Sequence, residues 1–97
     1  MKGYNIDYLP SAKQDFSNIV LTLKARYPTT AQFRYDNLYD GIHLLENNPL
    51  LGKKYKSNVS NLSYRKLIVN EWLVFYVVND DTIDIHAIIN GKTDYKI

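Results

Sequence analysis

The chain contains no cysteine in its 97 residues, which excludes a disulfide framework, thiolate chemistry and any cysteine-based metal site. It has four glycines and three prolines, and none is grouped into a glycine-rich phosphate loop, a linker or a low-complexity tract. No apolar run approaches the ~20 residues of a membrane span. Met1-Lys2 leads into a polar strand-like segment, not the apolar core of a secretory signal. No histidine–carboxylate spacing suggests a metal site, and no serine sits in a nucleophile-elbow context. Charge of one sign is not in excess either: 12 basic against 10 acidic residues leave a net +2, too mild to dictate nucleic-acid binding. The expectation is one small cytoplasmic domain over residues 1–97, with no cofactor, metal, membrane contact or small-molecule substrate. A chain of this length buries one modest core.

What is present is concentrated in the last third. Tyr64–Val69, Trp72–Val78 and Ile83–Ile89 are three runs rich in β-branched and aromatic residues, separated by short polar breaks. They predict a three-strand antiparallel meander. The middle run is apolar throughout, as for a strand covered on both faces. Asn70-Glu71 and Asn79-Asp80-Asp81-Thr82 supply the turns.

Upstream, Tyr4, Ile6 and Tyr8 alternate with polar residues and predict a short strand. Ser11 and Gln14 stand in capping-box positions for a first helix, whose apolar stripe is Ala12, Phe16, Ile19, Val20, Leu23 and Tyr27. Pro28 ends it, Thr29 or Thr30 caps a second, and Ala31, Tyr35, Leu38, Ile42 and Leu45 form the second stripe. Asn47-Asn48-Pro49 stops that helix. The stretch 48–63 is irregular, with one short extra strand near Tyr55–Val59. The fold class is therefore α+β: a two-helix hairpin packed on a small antiparallel sheet, in the order β-α-α-β-β-β.

The charge distribution says more than its sum. From Gly52 to Lys66 there are five basic residues (Lys53, Lys54, Lys56, Arg65, Lys66) and no acidic one. Such a stretch holds phosphates or is an ordinary solvated loop. Arginine is the better clamp, because its planar fork holds two oxygens at once. Arg65 is thus the first choice for phosphate contact; its alternative is a stem packed on Tyr64 or Trp72. Strand alternation puts Lys66 on the opposite face from Arg65. His86 can move protons near neutral pH, or be structural within its strand. His43 reads as exposed helix surface. Lys92 follows Gly91 at the strand exit, within reach of a phosphate, and Asp94 is a proton acceptor or a turn acid. Nine tyrosines in so short a chain fit core edges and buried interface centres alike.

Several of these segments together resemble the RelE/ParE superfamily of bacterial type II toxin–antitoxin toxins. YLPSAKQDF (Tyr8–Phe16) is similar to that family's first strand entering helix one. NNPLLGKKY (Asn47–Tyr55) resembles its Pro-x-x-Gly segment, YRKLIVNEWLVFYVV (Tyr64–Val78) its paired central strands, and IIN with GKTDY (Ile88–Tyr95) its closing strand and tail. The resemblance spans nearly the whole chain in order. It implies a cytoplasmic growth-inhibiting toxin, of the kind tied to plasmid stabilisation, silenced by a cognate antitoxin. Its target is then mRNA on the ribosome, cut by a metal-independent endoribonuclease (an mRNA interferase), or, in the ParE-like alternative, DNA gyrase, bound without catalysis.

For RNA cleavage the candidate catalytic set is Arg65 and Tyr95, at positions the resemblance indicates, with His86 as an outside candidate for proton transfer, and Lys53, Lys54, Lys66 and Lys92 from the residue reading on RNA phosphates. Tyr95 stands where the family keeps a tyrosine that stacks on a base or assists proton transfer; its alternative is pinning the tail to the core. Leu73 stands where many RNA-cutting members carry an arginine, and Thr93 replaces one of two basic residues after the glycine. A lost cation of that kind costs a factor of ~10²–10³ in rate by analogy with an oxyanion donor. The thinned set weakens the RNA-cutting reading and strengthens the gyrase alternative, which needs no catalytic residues; the two stand nearly level, with RNA cleavage first. A decayed toxin kept as antitoxin partner and co-repressor is a third reading.

Overall fold

The computed structural model describes residues 3–93 and 95. Strand β1 (Asn5–Tyr8) turns at Leu9 into helix α1 (Pro10–Arg26). Pro10 opens the helix as its first residue, where its missing N–H and fixed φ are harmless. The expected capping box is not formed. Leu9 is the N-cap with no side-chain cap bond, and Ser11 donates instead to the His86 carbonyl at 2.8 Å. Asp15, one turn on, accepts from the Ile88 N–H at 3.0 Å. Leu9 N–H bonds the Ile85 carbonyl at 3.0 Å. With β1 ended, the start of α1 thus takes over backbone groups of the last strand, and buried polar groups without partners are avoided.

Helix α2 (Ala31–His43) follows a short turn and runs into a 3₁₀ turn, Leu44–Glu46. Strand β2 (Lys53–Lys56) is the extra strand, beginning two residues and ending three residues before the expected Tyr55–Val59. Strands β3 (Ser63–Val69), β4 (Trp72–Val78) and β5 (Thr82–Asn90) form the meander, each within a residue of the expected bounds. Asn70 makes the β3–β4 turn with φ 55°, a left-handed conformation that asparagine tolerates better than most residues.

The five strands lie in the order β1-β5-β4-β3-β2. All pairs are antiparallel except β1 with β5, which is parallel. The sheet is therefore mixed, where the sequence pattern suggested an antiparallel one. Apolar alternation marks β1 as a strand but carries no sign of its direction, which the helical crossover sets.

Both helices cover one face. Ala12, Ile19 and Leu23 of α1 and Leu38 and Ile42 of α2 join Leu45, Leu67, Val74, Tyr76, Ile83, Ile85 and Ile88 in the main core. Each aliphatic side chain fully buried here stabilises the fold by about 1.5–3 kcal/mol before entropy is counted. The other face carries a smaller cluster, Tyr64, Leu73 and Phe75, edged by Tyr55, Val77, Ala87, Ile89 and Tyr95. Strand β4 is accordingly buried on both sides, as its unbroken apolar run implied.

Candidate functional site

Strand parity decides what each basic residue can do. Arg65 is paired with Tyr76 and Leu67 with Val74, and Tyr76, Leu67 and Val74 all belong to the helix-covered core. The Arg65 side chain is thus drawn to that side. Its Nη1 donates to the Gly52 carbonyl at 2.7 Å. Tyr76, fully buried, completes the clamp: its hydroxyl accepts from the Gly52 N–H and donates to the Pro49 carbonyl, both at 2.8 Å. A Cβ on Gly52 would meet the Tyr76 ring and hydroxyl at 2.8 Å, so glycine is required by close approach. Burial raises the Tyr76 pKa, against smaller lowering by the Gly52 N–H and by Arg65. Arg65 and Tyr76 therefore pin the segment that leads into β2.

The next residue, Lys66, faces the other way, as alternation requires. It pairs with Phe75 and with Lys53, and its Nζ lies 5.7 Å from the Tyr55 ring centroid, a cation–π contact. On this open face Tyr95 packs against Phe75 (ring centroids 5.3 Å apart) and Tyr55 (6.4 Å). His86 joins them through a β-bulge. The β4–β5 register slips between Phe75, opposite Ala87, and Tyr76, opposite Ile85. The extra residue is His86. Ile85 and Ile88 stay in the main core, and the His86 ring turns to the open face, where Nδ1 is hydrogen-bonded to the Tyr64 hydroxyl at 3.1 Å. The two rings are perpendicular, 5.0 Å apart. Burial lowers the His86 pKa, with Asp84 opposing it, so the imidazole is neutral at pH 7 and keeps a basic nitrogen.

Of the seven expected site residues, the open face thus collects Lys53, Lys66, His86 and Tyr95. It does not collect Arg65, which is turned to the helix side, nor Lys54, which pairs with Arg65 and shares its parity. Lys92 is exposed in the turn after β5, its N–H bonded to the Asn90 side chain at 2.9 Å. Asp94 lies outside the described residues. Leu73 is buried within the open-face cluster, and Thr93 is exposed. Tyr55 and Tyr64, which the sequence did not single out, are the residues around which the open face is organised. Their signal is positional: Tyr64 stands two residues from Lys66, and Tyr55 two from Lys53.

His43 is not free helix surface. Its Nε2 is 3.1 Å from the Tyr8 hydroxyl and its Nδ1 3.2 Å from Glu46, with Tyr39 stacked on its ring at 4.1 Å. Burial, with smaller contributions from Tyr39, Tyr35 and Glu46, holds the Tyr8 hydroxyl well above the usual tyrosine range. This chain of side chains ties the end of β1 to the end of α2. Among the described residues no group of three histidine or acidic side chains is placed to hold a metal, and no helix is long and apolar enough to cross a membrane.

The fold is shared with solved structures. The chromosomal ParDE toxin–antitoxin system from P. aeruginosa contains a chain that superposes with a TM-score of 0.74 at 16% identity, over 92% of this chain and 97% of that one. A chain of the toxin–antitoxin complex RelBE2 from Mycobacterium tuberculosis gives 0.59 at 14% identity, over 93% of each. The YoeB dimer from Staphylococcus aureus gives 0.57 at 22% identity, over 87% of this chain and 92% of that one. At such identities the likeness is one of fold. No curated protein matches the sequence. The family described as "ParE toxin of type II toxin-antitoxin system, parDE" matches residues 6–95; the chain belongs to that family, within the RelE/ParE superfamily, and is a toxin of the type II toxin–antitoxin class.

Proposed function

We propose that this toxin acts in the ParE manner, arresting growth by binding DNA gyrase without catalysing a reaction, and that a cognate antitoxin holds it inactive until released. The observation that carries the reading is the separation of Arg65 from His86 and Tyr95 by the thickness of the sheet. Cleavage of RNA needs a phosphate clamp on the same side as the group that takes the 2′-hydroxyl proton. Here the one arginine of the basic stretch serves the Gly52 carbonyl instead, and the leucine at 73 adds no cation. Purified chain added to a gyrase supercoiling assay should inhibit it, and added to a translation extract should leave mRNA intact. Cut mRNA with unaffected supercoiling would reverse the assignment.

One observation favours the RNA-cutting alternative. The Tyr64–His86 pair, with a neutral imidazole, lies on the same face as Lys66, Lys53 and Tyr95. In that reading His86 takes the 2′-hydroxyl proton as the 2′-oxygen bonds to phosphorus, the two lysines stabilise the phosphorane charge, the P–O5′ bond breaks with water protonating the leaving 5′-oxygen, and Tyr95 stacks on a base. Cleavage abolished by His86→Ala and by Tyr95→Ala, but not by Arg65→Ala, is the pattern it requires.

A further inference from the structure

The basic stretch is not spread over the surface; the fold makes it the shaft of one hairpin. Strands β2 and β3 are joined by residues 57–62, and β2 is an edge of the sheet. Lys53 stands opposite Lys66, the next rung sets Lys54 against Arg65, and Lys56 faces Ser63 nearest the tip. Alternation puts Lys54, Lys56 and Arg65 on one side of this two-stranded ribbon and Lys53 and Lys66 on the other. Like charges directly opposite each other on neighbouring strands are destabilising. Residues 52–66 contain no acid to relieve them, and among the described residues the one ion pair is His43 with Glu46. Lysines on an edge strand guard it against pairing with other chains. That accounts for Lys53, Lys54 and Lys56, but not for Lys66, set against Lys53 on the interior strand β3.

The remaining charge is of the other sign. Outside residues 52–66 the chain has seven basic and ten acidic residues. Asp7, Asp80, Asp81 and Asp84 lie in or beside β1 and β5, at the opposite edge of the sheet. A polyanion is therefore drawn to the hairpin and repelled by the far edge. The tip is open: Asn58 and Asn61 are exposed, and Val59 is 66% exposed. Ser57 Oγ accepts from the Val59 and Ser60 N–H groups at 3.1 and 3.0 Å, and Ser60 Oγ from the Leu62 N–H at 3.1 Å. These bonds hold the turn and use the serine oxygens as acceptors, so both hydroxyl protons can go to a phosphate. Lys54, Lys56, Ser57, Ser60 and Asn61 line one hollow of about 570 Å³ along the ribbon.

We infer that the β2–β3 hairpin is a binding site for duplex DNA, entering the major groove tip first with its four lysines on the phosphates of both walls. The dimensions agree. A β-layer with side chains on both faces is about 10 Å thick, and the groove is about 12 Å wide and about 8.5 Å deep. The lysine rungs, from Lys56 back to Lys53 and Lys66, span about 10 Å of ribbon, close to that depth. A ribbon charged on both faces suits a site with a phosphate strand on each side. Arg65 adds to the field while its Nη1 stays on the Gly52 carbonyl. Single-stranded nucleic acid would instead stack its bases on aromatic rings. The two tyrosines of the ribbon are engaged, Tyr55 by Phe75 and Lys66, Tyr64 by His86. The major groove of A-form RNA is too narrow for the ribbon. The inference goes beyond the gyrase reading and stands without it, since DNA alone is the ligand.

The test is fluorescence anisotropy of a labelled DNA duplex titrated with the full chain at about 50 and about 200 mM salt. Four lysine–phosphate contacts give a log–log salt slope of about −3.6, so affinity should fall about a hundredfold between the two conditions. Lys54→Ala with Lys56→Ala, and separately Lys53→Ala with Lys66→Ala, should each reduce the slope by about 1.8 and weaken binding at the lower salt about tenfold or more. Val59→Glu, at the tip, should weaken it about fivefold or more. Lys13→Ala with Lys24→Ala, exposed on α1, should change it less than about threefold. All these positions are exposed or half-buried, and thermal melts check that each variant is folded. No binding of the duplex at the lower salt overturns the inference, as does parental affinity in Val59→Glu or a loss in the α1 pair as large as in the hairpin pairs. Tighter binding of a single-stranded RNA of the same sequence overturns it in favour of RNA. Supercoiling inhibition is read in its own assay, so the gyrase reading and this one fail independently.

Discussion

The two faces of the sheet use the same residue types for different ends. On the helix-covered face Tyr76 and Arg65 are buried or half-buried, and the hydroxyl and the guanidinium are bonded to the backbone of the Pro49–Gly52 segment. On the open face Tyr64 and Lys66, each one position away from a residue of the other face on β3, end on a histidine ring and a tyrosine ring. One face spends its polar groups on holding a loop; the other leaves them at a surface. A tyrosine or a basic residue is thus a candidate for function only after its parity on the strand is known.

The largest expected contrast is in stability. Ile42→Ala removes a side chain with no solvent exposure from the main core and should cost about 2–5 kcal/mol in chemical denaturation. Ile68→Ala, on the other side of the same sheet, should stay within about 0.5 kcal/mol. Comparable losses at the two positions would mean that the open face is already covered in the free chain.

A smaller contrast concerns the clamp. Gly52→Ala places a methyl group 2.8 Å from Tyr76 and 2.9 Å from the Lys66 backbone, and overpacking of that kind costs about 1–3 kcal/mol. Gly91→Ala meets nothing nearer than 3.4 Å and should be close to neutral. Tyr76→Phe leaves the Gly52 N–H and Pro49 carbonyl without their partner and should cost about 1–3 kcal/mol. Tyr64→Phe, whose partner is a half-exposed imidazole, should cost about 1 kcal/mol or less. Arg65→Ala sharpens the functional side of the comparison. It should lower the melting temperature while leaving the response of the chain's target unchanged, and Lys66→Ala should leave the melting temperature unchanged.

Much of this was legible in the sequence. The helices, the meander and the double burial of β4 follow from apolar periodicity, which is strong in long elements. The face of Arg65 was only partly so. It is in phase with Leu67 and Val69, which points to the core, but Ile68 is apolar too and blurs the pattern. The bulge at His86 has a clearer trace. Buried positions run 83, 85 and then 88, so parity switches once within β5. That switch sends two consecutive residues, His86 and Ala87, to the open face. The capping box at Ser11 failed because a better partner, the His86 carbonyl, lies 75 residues away in sequence. No local rule sees that far.

The smallest expected effect is also the one that isolates the open face. His86 is partly buried beside Tyr64, and burial favours its neutral form, so its folded-state pKa lies below the ordinary histidine value; Asp84 opposes but does not cancel this. In the unfolded chain the ring titrates near about 6.5. Above that pH both states are neutral and His86 adds no pH dependence. As pH falls through about 6.5 the unfolded chain takes up the proton first, so stability falls. The loss continues until the folded-state pKa is passed and then levels off. On the helix-covered face the Tyr76 hydroxyl is shifted upward and stays protonated throughout that window. Melting temperatures followed from pH 7.5 downward should therefore decline in the wild type and decline less in His86→Gln. Asp84→Asn removes the opposing charge and should steepen the decline. An imidazole titration by NMR that places the His86 midpoint at or above the ordinary value would show the ring to be solvated, and the Tyr64 contact too weak to organise the open face.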